Sequence, residues 1–223
     1  MFWQPVALRN LADKQPLAPH SLDVWWWPER TMPAIASRRQ RVDAILRTVL
    51  ARYLPLDADA LRFGRESKGR PFLRHDGVPD FNLSDTGGGT VIAVAGRGRA
   101  GIDIERSDRE PPVTRLAARW FAIDEAQALQ QMEPESARRA FLRLWTAKEA
   151  ACKATGTGIF GYLSRWRFGI EGEAASPELL EPPADAGEHS RWRFHRLAPT
   201  PEHTVVLACR DNTEAPRGFL VEG

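Results

Sequence analysis

The run Gly101-Ile102-Asp103-Ile104-Glu105 sets two carboxylates at alternate positions of an apolar stretch. On a strand such residues share a face. Ile102 and Ile104 would then enter a core, while Asp103 and Glu105 project together from the other side. Two adjacent carboxylates repel unless a proton or a cation lies between them. Hard oxygen ligands suit Mg²⁺, which commonly takes one or two carboxylates together with substrate phosphates. A solvated strand face with salt-bridged acids is the plainer alternative.

A second run is Trp145-Thr146-Ala147-Lys148-Glu149-Ala150-Ala151-Cys152-Lys153-Ala154-Thr155-Gly156. Glu149 and Lys153 stand at i and i+4, on one helical face, and an ordinary intrahelical ion pair accounts for that spacing alone. Two features point further. The chain uses arginine for nearly all its positive charge and has only four lysines, yet it puts two of them at 148 and 153. A compact ammonium binds phosphate as a point charge where a guanidinium fork does not fit. Ala147, Ala150, Ala151 and Ala154 also keep the helix slim, so another element can approach it closely. If that element is the 101–105 strand, three carboxylates and two ammonium groups converge, as a divalent metal bridged to a phosphate would require.

Two further segments carry weaker signals. Arg38, Arg39 and Arg41 follow Ser37 at a helix start, where three cations oppose the macrodipole and a bound anion would relieve the conflict; solvated arginines are the alternative. Asn82-Leu83-Ser84-Asp85-Thr86-Gly87-Gly88-Gly89 reads as a strand end followed by a turn whose backbone N–H groups could meet a phosphate. A plain turn explains it equally. The five histidines lack metal-ligand spacing, and Cys152 reads as a packing residue. Sequence patterns of zinc proteases, dinucleotide folds, P-loops and serine hydrolases are absent.

The elements that must position these groups can be read from periodicity. Residues 21–30 predict a strand ending at Pro28, with Trp25–Trp27 in core and edge packing. Ser37 and Gln40 form a capping-box pattern before a helix that buries Val42, Ile45, Leu46, Val49, Leu50 and Tyr53. Residues 64–80 read as loop with short extended pieces, 91–95 and 101–105 as strands, and 114–121 and 124–132 as helices. Pro134 reads as a break before a long helix over about 135–155, which stops at Gly156. Residues 166–170 are a candidate strand and 171–190 an acidic loop. Strands over 192–197 and 204–209 come last, before a loose tail after Asp211. A long helix and short strands in each half suit two similar lobes, 1–100 and 101–223.

With 223 residues, 43% hydrophobic and 27% charged, the chain has the composition of a globular protein and not of a disordered or fibrous one. No transmembrane run or secretory signal is visible, and two cysteines make no disulfide framework, so a cytoplasmic setting is expected. Six of the 29 acids lie between Arg167 and Arg191, with no lysine or arginine among them. The remaining 23 acids face 31 basic residues, a surplus of eight that favours an anionic ligand or partner. An arginine-rich nucleic-acid binder would share that surplus, but no aromatic-basic RNA motif accompanies it.

Taken together, Gly69-Arg70-Pro71, Phe81-Asn82-Leu83-Ser84, Gly101–Glu105, Trp145–Lys153 and Gly156-Thr157-Gly158 resemble, in order and spacing, the 4′-phosphopantetheinyl transferases of the Sfp type. The resemblance spans roughly residues 37–160. It implies an α+β monomeric pseudo-dimer, each lobe with a small, mainly antiparallel sheet and a long helix, and the active site between lobes. It implies Mg²⁺-dependent transfer of phosphopantetheine from coenzyme A to a serine of an apo-carrier protein (acyl, polyketide or peptidyl), with no nucleic acid or membrane partner. By residue it implies Asp103, Glu105 and Glu149 as metal ligands, with Glu149 also the general base. Lys153 would contact the pyrophosphate; the rare-lysine pattern, not the resemblance, adds Lys148 to the coenzyme A site. Arg70, where the family usually has lysine, would contact phosphate, and Ser84 would bind coenzyme A. Asp85 stands where the family has a histidine that holds the 3′-phosphate, and Asp43 where it often has an arginine reaching the same group. Arg38, Arg39 or Arg41 would replace those contacts, or the donor would lack the 3′-phosphate. A weak or non-catalytic homologue that binds coenzyme A or carrier protein is the alternative.

Overall fold

A computed structural model describes residues 2–34, 37–170 and 176–223. Glu171 and Glu173 of the acidic stretch lie outside the described residues. In chain order the elements are β1 (Trp3–Ala7), β2 (Leu22–Pro28), α1 (Arg38–Arg52), β3 (Phe63–Arg65), β4 (Pro71–Leu73), β5 (Asp80–Thr86), β6 (Gly89–Ala95), β7 (Arg99–Arg106), α2 (Val113–Trp120), α3 (Ile123–Gln130), α4 (Pro134–Thr155), β8 (Arg167–Phe168), β9 (Leu179–Glu181), β10 (Trp192–Leu197), β11 (His203–Arg210) and β12 (Arg217–Glu222). The class is α+β.

The tryptophan run shows how the layers form. Alternate side chains of a strand point to opposite faces. Trp25 and Trp27 of β2 join Ile92 and Val94 of β6 in a core against Ile45, Val49 and Leu50 of α1. Trp26 joins a second core with Val91, Ala93, Ile102, Ile104, Val205 and Leu207. The five-stranded sheet, ordered β1-β12-β2-β6-β5, therefore lies between α1 and a three-stranded antiparallel sheet, β10-β11-β7. The far face of that smaller sheet packs Val206 and Ala208 against α4. Burying each large apolar side chain in these cores contributes about 1.5–3 kcal/mol.

Helix ends follow their local chemistry. Ser37 Oγ accepts the Gln40 N–H at 3.2 Å and caps α1. Pro134 opens α4 instead of breaking the chain, because the first turn of a helix has no use for its missing N–H. Gly156 ends α4 in the left-handed conformation, with φ +73°.

Two expectations are corrected. The tail is not loose: β12 lies in parallel between β1 and β2. Arg217 forks onto buried Asp23, and Phe219 stacks on Trp25 with centroids 4.6 Å apart. The acidic stretch is not all loop, since β9 pairs with β8. Glu181 and Asp185 there meet Arg167 and Arg165, so part of its charge is matched by the arginines that precede it.

Candidate active site

β7 presents Gly101, Asp103 and Glu105 toward α4, while Ile102 and Ile104 fill the core between the sheets. The close approach depends on glycine. A Cβ at position 101 would lie 2.1 Å from the Ala150 carbonyl oxygen and 2.3 Å from the Ala154 nitrogen. The alanines of α4 are the other half of this fit: Ala147, Ala150, Ala151 and Ala154 are all fully buried. β5 approaches from the side. Its Asp80 and Asn82 side chains accept the N–H groups of Ala100 and Ile102, joining two sheets whose backbones do not pair.

Three elements thereby converge on one polar cluster. Lys153 Nζ of α4 donates to Asp103 Oδ1 at 2.7 Å and to Ser84 Oγ of β5 at 2.8 Å. Ser84 Oγ in turn donates to Asp103 Oδ1 at 2.9 Å. Arg109, just beyond β7, donates to Glu105. Burial pushes the Glu149 carboxyl up to about 7, with help from the charges of Asp103 and Glu105 and against those of Lys153 and Arg109. Burial and then the Asp103 charge likewise push Glu105 up to about 7, against Arg109 and Lys153. The expected grouping of Asp103, Glu105, Glu149, Lys153 and Ser84 is therefore a single electrostatic cluster.

The three acids are not drawn around a common point. Among the described residues, no three histidine, cysteine or acid side chains form a set able to hold a metal ion. Asp103 is turned to Lys153 and Glu105 to Arg109. The donor set nonetheless suits a hard cation. All donors are carboxylate oxygens, Asp103 Oδ2 is buried without a partner, and burial followed by the neighbouring acids' charge raises two of the carboxyls, as a bound cation would offset.

Lys148 is not part of this cluster. It is fully buried on the other side of α4, 2.7 Å from Glu125 Oε2, and it donates to the carbonyls of Leu163 and Trp166. Adjacent helical residues diverge by about 100°, so Lys148 points into the core of α2, α3 and β8 while Glu149 faces β7. Burial lowers the Lys148 pKa, and Glu125 opposes that shift.

Arg70 is spoken for as well. Its side chain is 3% exposed and forms a fork with Asp80 at 2.9 and 2.7 Å. It also donates to the carbonyls of Lys153, Phe81 and Ala100. Arg99 Nε donates to Ala154 O while its fork holds Glu66. Two arginines thus satisfy the carbonyl end of α4, where cations are favoured. These contacts give Arg70 a structural role, and it also lines the cavity that holds Lys68 and Lys153.

Lys68 is a cation of the site that no sequence motif marks. It is exposed, and with Lys153, Pro71, Asn82, Leu83 and Gly156 it lines a cavity of about 250 Å³. Its signal was the same rarity of lysine that pointed to 148 and 153. A second cavity of about 520 Å³ shares Pro71 and Leu83 and is lined by Arg39, Asp43, Arg47, Phe63 and Arg65. Of the remaining expected residues, Arg38 Nε lies 2.5 Å from Asp85 Oδ2, so that carboxylate is not bare. Asp43 is paired to Arg47 at 2.7 Å. Arg41 has a buried Nε without a partner and lines neither cavity.

The fold and this site define a chain with an acid and lysine cluster beside two adjoining cavities. The profile of the 4′-phosphopantetheinyl transferase superfamily matches residues 99–209. The Bacillus pumilus 4′-phosphopantetheinyl transferase psf-1 is 34% identical over 194 residues, covering 82% of each chain. The Nostoc 4′-phosphopantetheinyl transferase HetI is 33% identical over 138 residues, 60% of this chain and 56% of its own. This chain therefore belongs to the 4′-phosphopantetheinyl transferase superfamily. It spans only 59% of the Synechocystis relative slr0495 and 51% of a Bacillus subtilis relative, little more than half their length. The solved Thermotoga maritima holo-[acyl-carrier-protein] synthase aligns with 52% of this chain and 64% of its own, at 24% identity and a TM-score of 0.39.

Proposed function

We propose that this protein transfers the 4′-phosphopantetheine arm of coenzyme A to a serine hydroxyl of an apo-carrier protein. The observation that carries the reading is the Lys153 ammonium bridging Ser84 and Asp103, with Glu149 on the same helical face pushed up to about 7. A base whose pKa lies near the working pH is suited to proton transfer. The Glu149 carboxylate would take the serine proton as the serine oxygen bonds to the phosphorus that carries the pantetheine arm. The bond from that phosphorus to the bridging oxygen breaks, and adenosine 3′,5′-bisphosphate leaves. Lys153 and Lys68 would face the diphosphate from two sides of the smaller cavity and offset charge on the departing group. Asp103, Glu105 and Glu149 would hold Mg²⁺. Bound there, the ion would neutralise the diphosphate further.

The larger cavity, which shares Pro71 and Leu83 with the first, would take the nucleotide end. Phe63 and Pro71 offer apolar surface to a base, and Arg39 and Arg65 offer charge to the 3′-phosphate. The Arg38–Asp85 pair would lessen the repulsion between Asp85 and a 3′-phosphate. The basic surplus outside residues 168–190 suits an acidic carrier surface. We further read the chain as a two-lobed monomer divided near residue 100, with β12 completing the first lobe's sheet, acting in the cytoplasm. Among the described residues no helix is long and apolar enough to cross a membrane.

The test is intact-mass analysis of a panel of apo-carrier proteins after incubation with the protein, Mg²⁺ and coenzyme A or its dephospho form. One added phosphopantetheine arm is expected. If no carrier gains it while a known family enzyme modifies the same panel, the reading fails.

A further inference from the structure

The acid cluster already holds a cation of the chain's own. Arg109 lies four residues after Glu105, and its guanidinium reaches in from a partly exposed position to a carboxylate that is only 16% exposed. The Arg109 guanidinium carbon is 5.8 Å from the centre of the Trp145 ring, one helical turn before Glu149. The Glu105 and Trp145 contacts together place Arg109 between β7 and the stretch of α4 that carries Glu149. The Arg109 backbone is fastened, because Arg138 Nη1 donates to the carbonyls of Ser107 and Arg109. In the same cluster, Asp103 Oδ2 is buried without a partner.

We propose that Arg109 is a displaceable internal cation. Its side chain holds Glu105 in the absence of a divalent ion and must rotate off before Asp103, Glu105 and Glu149 can share one. The inference rests on the divalent-ion role proposed above for those acids. With the backbone fixed by Arg138, the exchange needs only a side-chain rotation, away from Glu105 and into solvent. Affinity for the ion is then set by competition, because the fraction of protein with Glu105 released scales the apparent dissociation constant. It also explains why three acids within electrostatic reach of one another are not drawn around one point.

The test uses Mn²⁺ as the probe, titrated into the full chain without coenzyme A, with free ion read by electron paramagnetic resonance. Arg109→Gln should bind Mn²⁺ at least about fivefold more tightly than the wild type, because the competing state is removed. Arg106→Gln removes the same charge from the same segment, but Arg106 pairs with exposed Asp108 and not with the cluster. Its affinity should stay within about twofold, since exposed charges are screened. Arg109→Lys, which keeps the charge on a shorter-reaching ammonium, should fall between Arg109→Gln and the wild type. Thermal melts confirm that each variant is folded. Equal or weaker Mn²⁺ binding by Arg109→Gln overturns the inference alone, as does an equal gain in Arg106→Gln. Absence of Mn²⁺ binding in both the wild type and Arg109→Gln overturns it together with the metal role of the three acids.

Discussion

The Lys153 ammonium lies 2.7 Å from Asp103 Oδ1, and through Ser84 Oγ it also reaches β5. One side chain near the end of α4 thus ties both sheets together at the point where the chemistry is proposed. Removing it leaves Asp103, whose side chain is 5% exposed, without its counter-charge. Breaking such a pair from one side is costly. Lys153→Met should lower the unfolding free energy at pH 7 by about 2–4 kcal/mol, read by urea titration. It should also reduce transfer by about 100-fold or more. An unchanged urea midpoint would show that the bridge contributes nothing to the fold.

Stability should depend on pH in an unusual direction near neutrality. Glu105 and Glu149 keep their protons to about 7 in the folded chain, against an ordinary value of 4.5. Between those values the folded state binds more protons than the unfolded one, so stability falls as pH rises and levels off above about 7. Glu135 and Asp211, held low chiefly by hydrogen bonds from Arg138 and Arg191, act in the opposite sense in more acidic solution, and His195, held below its ordinary 6.5 by burial, offsets part of the decline. With a chelator present, the melting temperature should be higher near pH 5 than at pH 8, and added Mg²⁺ should flatten the decline. A curve that rises to pH 8 in chelator would contradict this account.

Glu149→Gln separates the cost of that buried charge from its use. The amide carries no charge at any pH, so the variant should melt higher than the wild type at pH 8 in chelator and nearly the same at pH 5. Transfer should drop by about 10²–10⁴-fold as the base is lost. Near-normal transfer in Glu149→Gln would remove Glu149 from the proton step.

Arg70 and Lys68 make opposite predictions although they are two residues apart. Arg70→Lys loses the fork to Asp80 and the contact to the end of α4, and should destabilise the fold by about 2–4 kcal/mol. Lys68→Ala, at an exposed position, should leave the melting temperature within about 2 °C of the wild type, as exposed substitutions usually cost little. It should weaken coenzyme A binding by about tenfold in calorimetry, as expected for one lost charged contact. Equal affinity in Lys68→Ala and wild type would take Lys68 out of the site.

What the sequence made legible was local. Alternation in 101–105 placed Asp103 and Glu105 on one face, the Glu149/Lys153 spacing placed both toward β7, and Ser37 and Gly156 marked helix ends. What it hid depends on distant partners. Lys148 differs from Lys153 only in which side of α4 it occupies, and alanines leave both sides equally bland. The deciding group is Glu125, 23 positions earlier. Arg70 reads as a loop cation until Asp80 and the α4 carbonyls close around it. β12 is short, and its place between β1 and β2 is set by strands roughly 190–215 positions away, a separation that no local pattern records.

Lys148 offers the sharpest check on that last distinction. Glu125 accepts the N–H groups of Ala122 and Phe168 besides pairing with the ammonium. Lys148→Met would leave a buried carboxylate held only by those two amides, and should cost about 3–5 kcal/mol in urea unfolding. Adding Glu125→Gln removes the stranded charge while an amide oxygen can still accept one of the N–H groups, so the double variant should recover a large part of the loss. At temperatures where each variant is folded, coenzyme A affinity should match the wild type, because the ammonium faces α3 and β8 and not the cavities. A drop in affinity in both variants, with melting of the double variant near normal, would return Lys148 to the donor site.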